Sequence, residues 1–228
     1  MSLHMLKGNP PIAVTLRRSA RARRLTLRVG QADGRVTLTL PHRLPEREAL
    51  AFLVSREGWL RARVGELAPE HLVRPGGVLP LEGQEVPVRR GEGHRTMLRE
   101  GVLWLPPGPA APRIAAFVKL RARDRLAAAA DRHAAALGRP YRRLTLRDTR
   151  SRWGSCTIAG DLMFNWRLVM APPEVLDYVA AHEVAHLAEM NHGPAFWALV
   201  ARLFPDHAQA RAWLKAEGAA LHRIRFGD

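Results

Sequence analysis

Cysteine is almost missing from this chain. Cys156 is the single one in 228 residues, so no internal disulfide can form, and a reducing, cytoplasmic setting is the expectation. No apolar run approaches the roughly 18 residues that a membrane-spanning helix requires. The first residues, MSLHMLKGNPP, hold no apolar signal-peptide core. Lysine is scarce as well: only three of 36 basic residues are lysine, yet the net charge is +15. Zinc-finger, RNP and basic-helix motifs are lacking, and the charge divides about evenly between the two halves. The arginine excess therefore reads as a solvated surface, with nucleic-acid attraction as the alternative. What remains is ordinary for a globular protein of one or two domains: 47% hydrophobic and 25% charged residues.

Hydrophobic periodicity predicts a mixed α+β fold. Residues 12 to 41 alternate like strands. RRLTLRV and RVTLTLP are joined by QADG, a hairpin signal. Pro45 and Glu46 open a helix expected to run to about Leu67. GVLPL, QEVPV, RTMLRE and GVLWLP return to short strands, and PPGPAAP at 106 to 112 reads as a linker. The predicted division is a β-rich amino-terminal domain over 1–110 and a second domain over 111–228. In the second, a helix is expected from Arg113 to Leu137, closed by Gly138. Strands at 142–148, 151–158 and 161–169 follow, then three helices.

The chemistry concentrates in HEVAHLAEMNH, residues 182 to 192. His182 and His186 stand one helical turn apart on one face, so two imidazoles can hold one Zn²⁺. Glu183, beside the first, can serve as general base toward a water. The segment PPEVLDYVAAHEVAHLAEM reads as one helix that starts at the two prolines. A catalytic zinc needs a third protein ligand. His192 has the spacing of the H-E-x-x-H-x-x-G-x-x-H pattern, although Glu189 stands where that pattern has glycine. Asn191 and Gly193 tolerate left-handed geometry and would let the chain leave the helix beside His192. Glu189 is the rival ligand, three residues past His186 on the same face. His192 is preferred, because three neutral imidazoles suit a catalytic zinc.

SRWGSC, FNWRLVMAPPEVLDYVAAHEVAHL and NHGPAFW together resemble the YgjP-like metal-dependent hydrolases, relatives of the SprT and WLM metallopeptidases. RRSARARRLTLRV and DGRVTLTLP share that likeness. The resemblance implies a compact zincin-like domain at the carboxyl end. It also implies His182, His186 and His192 as zinc ligands and Glu183 as the catalytic base; it carries no role for Glu189.

In such an enzyme an extended peptide can pair with the edge of a strand beside the active helix. SRWGSCTI and DLMFNWRLV are the candidate strands, and Gly154 would permit close backbone approach. Arg152, with Arg150, could clamp a carboxylate or phosphate. Asn165 could orient a substrate carbonyl or make a strand-turn hydrogen bond. Trp153 and Trp166 are expected to pack the sheet on the helix, and Phe196 and Trp197 to anchor the short helix after His192. Tyr178 is expected in the core and Cys156 as a small apolar residue rather than a ligand. The function expected is a zinc-dependent hydrolase, foremost a metallopeptidase acting on polypeptide. A nucleotide pyrophosphatase and a nucleic-acid-associated zinc protein are the alternatives.

Overall fold

The protein is described from a computed structural model, over residues 2–30, 33–67 and 69–228. It is α+β, as the periodicity implied, and divides into two compact units, Met1–Pro69 and Glu70–Asp228.

In the first unit, β1 (Ser2–Leu6), β2 (Ile12–Ser19), β3 (Thr26–Val29) and β4 (Val36–Pro41) form one sheet in the order β1-β2-β4-β3. β2 runs parallel to β4, and the other pairs are antiparallel. Strict alternation sets the face. Val14, Leu16, Val36, Leu38 and Leu40 are buried under α1 (Glu46–Ser55) and α2 (Glu57–Gly65), which contribute Ala49, Leu53 and Leu60. The predicted QADG hairpin turn includes Gln31 and Ala32, which lie outside the described residues; β3 and β4 do pair antiparallel. The single helix expected over 46–67 is two, because the chain turns at Arg56 (φ −106°, ψ 8°) just ahead of the weak helix former Gly58.

The second unit starts with β5 (His71–Val73), β6 (Val78–Leu81), β7 (Gln84–Arg90), β8 (Met97–Arg99) and β9 (Val102–Leu105). β6 to β9 form a sheet in the order β6-β7-β9-β8. The tight turns at Glu82-Gly83 and Glu100-Gly101 hold two positive-φ residues each, as two-residue hairpins require. α3 (Ala110–Leu137) crosses the unit and buries Ile114, Val118, Ala122, Leu126 and Ala129 along one face. It begins three residues before the expected start, because Asp228 caps it: the amides of Ala110 and Ala111 donate to its Oδ1 at 2.5 and 3.1 Å. Gly138, at φ 74°, ends it as predicted.

β10 (Arg143–Arg147), β11 (Gly154–Cys156) and β12 (Asp161–Asn165) form a sheet in the order β10-β12-β11. β12 is parallel to β10 and antiparallel to β11. The strand expected over 161–169 stops at Asn165, and Trp166–Met170 coil into a 3-10 turn. α4 (Pro173–Ala185), α5 (Pro194–Leu203), α6 (His207–Leu221) and β13 (Ile224–Phe226) complete the chain, with β13 parallel to β5.

The unit boundary falls at 69/70, not at the PPGPAAP segment proposed from the sequence. That segment lies within one continuous core, in which Leu79, Val88, Leu103 and Leu105 of the β6–β9 sheet join Ile114, Val118, Phe164 and Val179. A chain starting at Arg113 would lose Val73, Leu79, Leu81, Val86, Val88, Leu103 and Leu105 from that core. Each is worth about 1.5–3 kcal/mol, together about 10–20 kcal/mol, as large as the ~5–15 kcal/mol of net stability a domain has. A fragment of residues 70–228 should therefore melt cooperatively, whereas 113–228 should aggregate or melt without a transition. A cooperative melt of 113–228 at the temperature of the whole chain would contradict this shared core.

Candidate metal centre

α4 starts where two prolines dictate, with Pro172 at the N-cap and Pro173 in the first turn. It is buried almost all round, on Val175, Leu176, Val179, Ala180, Val184 and Ala185. Asp177 fastens it to α3 by accepting from His133 Nε2 at 2.6 Å and from Arg132 at 2.7 Å. Burial would raise that carboxyl, but the two donors hold it below the usual range. The helix ends at Ala185, earlier than expected, with His186 as its C-cap at φ −66°, ψ −15°. His182 and His186 keep their one-turn relation. The amides of Leu187, Ala188 and Glu189 bond back to Val184 and Ala185, and the chain then turns away. The expected left-handed exit is not used: Gly193 is extended at φ −80°, and Asn191 has no positive φ.

This turn returns His192 to the first two histidines. The candidate ligand atoms of His182, His186 and His192 all lie within 4.8 Å of one another. Nε2 of His182 and Nε2 of His192 are 3.1 Å apart. Nδ1 of His182 is buried without a hydrogen-bond partner among the described residues. His186 donates from Nδ1 to the Glu189 carbonyl at 2.9 Å, which fixes the tautomer that leaves Nε2 free to ligate. Glu189 thus meets the site through its backbone, and the converging group contains His192 rather than its carboxylate.

One buried ring supports all three imidazoles. Phe196 stacks on His186 at 4.5 Å and meets His182 and His192 edge-on at 4.9 and 4.7 Å. Trp197 lies beside them, 5.9 Å from His182 and 6.2 Å from His192. These are the anchoring positions expected of the pair. Burial, then the nearby His186, His192 and Arg211, push His182 down to about 4, and burial lowers His186 as well. Both rings are therefore neutral near pH 7, the form that binds a cation. Three imidazoles converging on one point, with a buried orphan nitrogen among them, fit a divalent metal of the zinc type.

Glu183 is 6% exposed and lodges against β11. A Cβ built on Gly154 would lie 2.5 Å from both Cγ and Oε1 of Glu183. Gly154 therefore makes room for the carboxylate, a purpose other than the substrate approach expected of it. Burial, opposed by the positive charge of Arg152, pushes the Glu183 carboxyl up to about 8. A dication within the histidine group would favour the charged carboxylate and oppose that rise.

Residues 23–217 match the family described as YgjP-like, metallopeptidase domain. The chain belongs to the YgjP-like family. The YgjP-like match spans most of the chain and includes every residue of the histidine group. No protein of curated function matches the sequence. Among solved structures, it is similar in part to the metallopeptidase zymogen abylysin of Pyrococcus abyssi. The two are 19% identical, with 40% of this chain and 95% of the other covered and a TM-score of 0.37.

Other sequence expectations need correction in this YgjP-like chain. Asn165 is fully buried and both ends of its amide are engaged. Oδ1 accepts from the Arg167 amide at 2.9 Å, and Nδ2 donates to the Thr149 carbonyl at 2.7 Å. It holds the strand-to-turn junction and is not available to a substrate. DLMFNWRLV cannot offer an edge, since β12 is the middle strand; β11 has one strand partner among the described residues. Trp153 packs on α6 rather than α4, stacked on His222 at 4.8 Å and against Gly218. Trp166 meets Phe226 of β13, with Arg167 4.5 Å over its ring. Tyr178 is buried edge-on to His182 at 5.9 Å. Cys156 lies outside the histidine group, its thiol raised to about 11 by burial and by the Glu183 and Asp161 carboxylates. Arg152 is exposed, and its charge is felt at Glu183. Arg211 on α6 went unread in the sequence. Its guanidinium carbon lies 4.6 Å over the Trp197 ring, and no motif marks it.

Among the described residues no helix is long and apolar enough to cross a membrane.

Proposed function

We propose that this metallopeptidase domain is a zinc-dependent peptidase. His182, His186 and His192 would hold the metal, and Glu183 would act as general base. One observation carries the reading: three imidazoles converge, and the neighbouring Glu183 is a buried carboxyl lodged against the edge strand β11. Zinc, when bound, supplies a Lewis acid that polarises a scissile carbonyl and makes water easier to deprotonate.

The chain's own residues supply the rest. The free N–H and C=O groups of the β11 edge can pair with an extended peptide whatever its sequence. Gly154 brings that edge up to Glu183, so a peptide laid along it has its backbone near the carboxylate. Glu183 takes a proton from the attacking water onto a carboxylate oxygen and releases it to the departing amine. Its burial excludes bulk water from this exchange. Phe196 keeps the three imidazoles in place by contact with each. Arg152, exposed two residues before β11, would meet a negative group on the substrate.

The nucleotide and nucleic-acid alternatives gain no comparable support. Among the described residues one side-chain group of ion-holding size occurs, His182, His186 and His192, and the Glu183 beside it in sequence lies against an edge strand. Chelation should abolish hydrolysis of an unstructured polypeptide, and stoichiometric zinc should restore it. Undiminished hydrolysis in the chelated protein would defeat the reading.

A further inference from the structure

Many arginines of the second unit are held by carboxylates. Arg121 and Arg125 share Glu82, Arg142 and Arg143 share Asp161, and Arg167 is held by Asp148. Arg211 is different. Among the described residues it pairs with no carboxylate, and its contact is the face of Trp197 at 4.6 Å. That indole is the ring lying 5.9 Å from His182 and 6.2 Å from His192. Arg211 is also exposed, so it is open to a ligand.

A guanidinium stacked on an aromatic face is held in orientation by the ring, and its N–H donors radiate in its own plane, away from that face. They match the two oxygens of a carboxylate.

We infer that Arg211, seated on Trp197, is a specificity-determining residue: it forms an anion subsite that selects peptides carrying a carboxylate beside the scissile bond. The inference rests on the metallopeptidase reading, and its test separates the two. The carboxylate would come from an aspartate or glutamate side chain or from a nearby chain terminus. An acidic peptide meets an unpaired cation there, while a lysine at the same place is repelled.

The experiment uses the zinc-loaded full chain and matched peptides that differ in one residue beside the cleaved bond: Glu, Gln or Lys. The expected kcat/KM is about tenfold or more higher for Glu than for Gln, the scale of one charge-assisted hydrogen bond. This ratio should shrink as salt is raised. R211A should bring the ratio near one, and R211E should turn the preference toward Lys, with zinc content unchanged in both. The second readout needs no turnover: binding of the Glu peptide to metal-free protein, followed by tryptophan fluorescence. R211A should weaken it about tenfold. A Glu preference and an affinity that both survive R211A overturn the inference. So does a requirement for Arg211 in hydrolysis of a nucleoside triphosphate with none for the Glu peptide. Peptide cleavage with no Glu preference defeats the subsite and leaves the peptidase reading standing. Arg211-dependent binding of the Glu peptide without any peptide cleavage does the reverse.

Discussion

E183Q should keep its zinc and lose hydrolysis by about 10²- to 10⁴-fold, the usual effect of removing a general base. Glutamine has the size and hydrogen-bonding capacity of glutamate but cannot take up the proton. Metal should remain because Glu183 is outside the group of side chains that converge at His182, His186 and His192. Stability gives an independent check on metal-free protein. Folded Glu183 titrates at about 8 because of burial, against an ordinary 4.5. Between those values the folded chain binds more protons than the unfolded one, so stability falls as pH rises through the window. Glutamine does not titrate, so metal-free E183Q should melt above the unsubstituted protein at pH 8 and alongside it near pH 4. Unchanged turnover in E183Q would remove Glu183 from the mechanism. Loss of zinc would make it a ligand instead.

G154A should be almost as damaging to activity, although it adds a single methyl group. Gly154 does not have a positive φ, so its backbone can accept alanine. The cost falls on the neighbour, since the new Cβ would lie 2.5 Å from Cγ and Oε1 of Glu183, and the carboxylate must move. A displacement of about 1 Å in a reacting group can cost about 10²-fold in rate. Overpacking of this kind costs about 1–3 kcal/mol of stability, so the variant should still fold. Zinc content should not change. The control is G193A, at a position in the same loop as His192 where a Cβ meets nothing within 4 Å and φ is −80°. It should retain metal and most activity. Full activity in G154A would show that the position of Glu183 against β11 is not part of catalysis.

Local signals were readable in the sequence. The two prolines before α4, the i, i+4 histidines and the alternation of β2 and β4 rest on chain geometry within a few residues, and each is found. The α+β class followed from them. What escaped depends on partners far along the chain. Asp228 sets the start of α3 across 117 and 118 residues. Gly154 and Glu183 meet only because β11 lies against α4. Asn165 carries the same functional groups whether it faces substrate or closes a turn, and burial decides the matter. The early end of α4 at Ala185 was hidden because LAEM has good helix formers; tertiary context overrode that propensity. A Pro- and Gly-rich stretch at 106 to 112 looked like a linker, yet strands and helices on both sides of it share one core. Arg211 was one arginine among many until its place on Trp197 set it apart.

Anomalous diffraction at the zinc edge, from crystals of the zinc-loaded protein, tests the central claim most directly. The expected result is one peak coordinated by ring nitrogens of His182, His186 and His192 at about 2.0–2.1 Å, with one position open to solvent. The Glu183 carboxylate should stand outside the coordination shell, against Gly154. No peak at the three histidines, or a metal ligated by Glu189 or Cys156 in place of His192, would contradict the account.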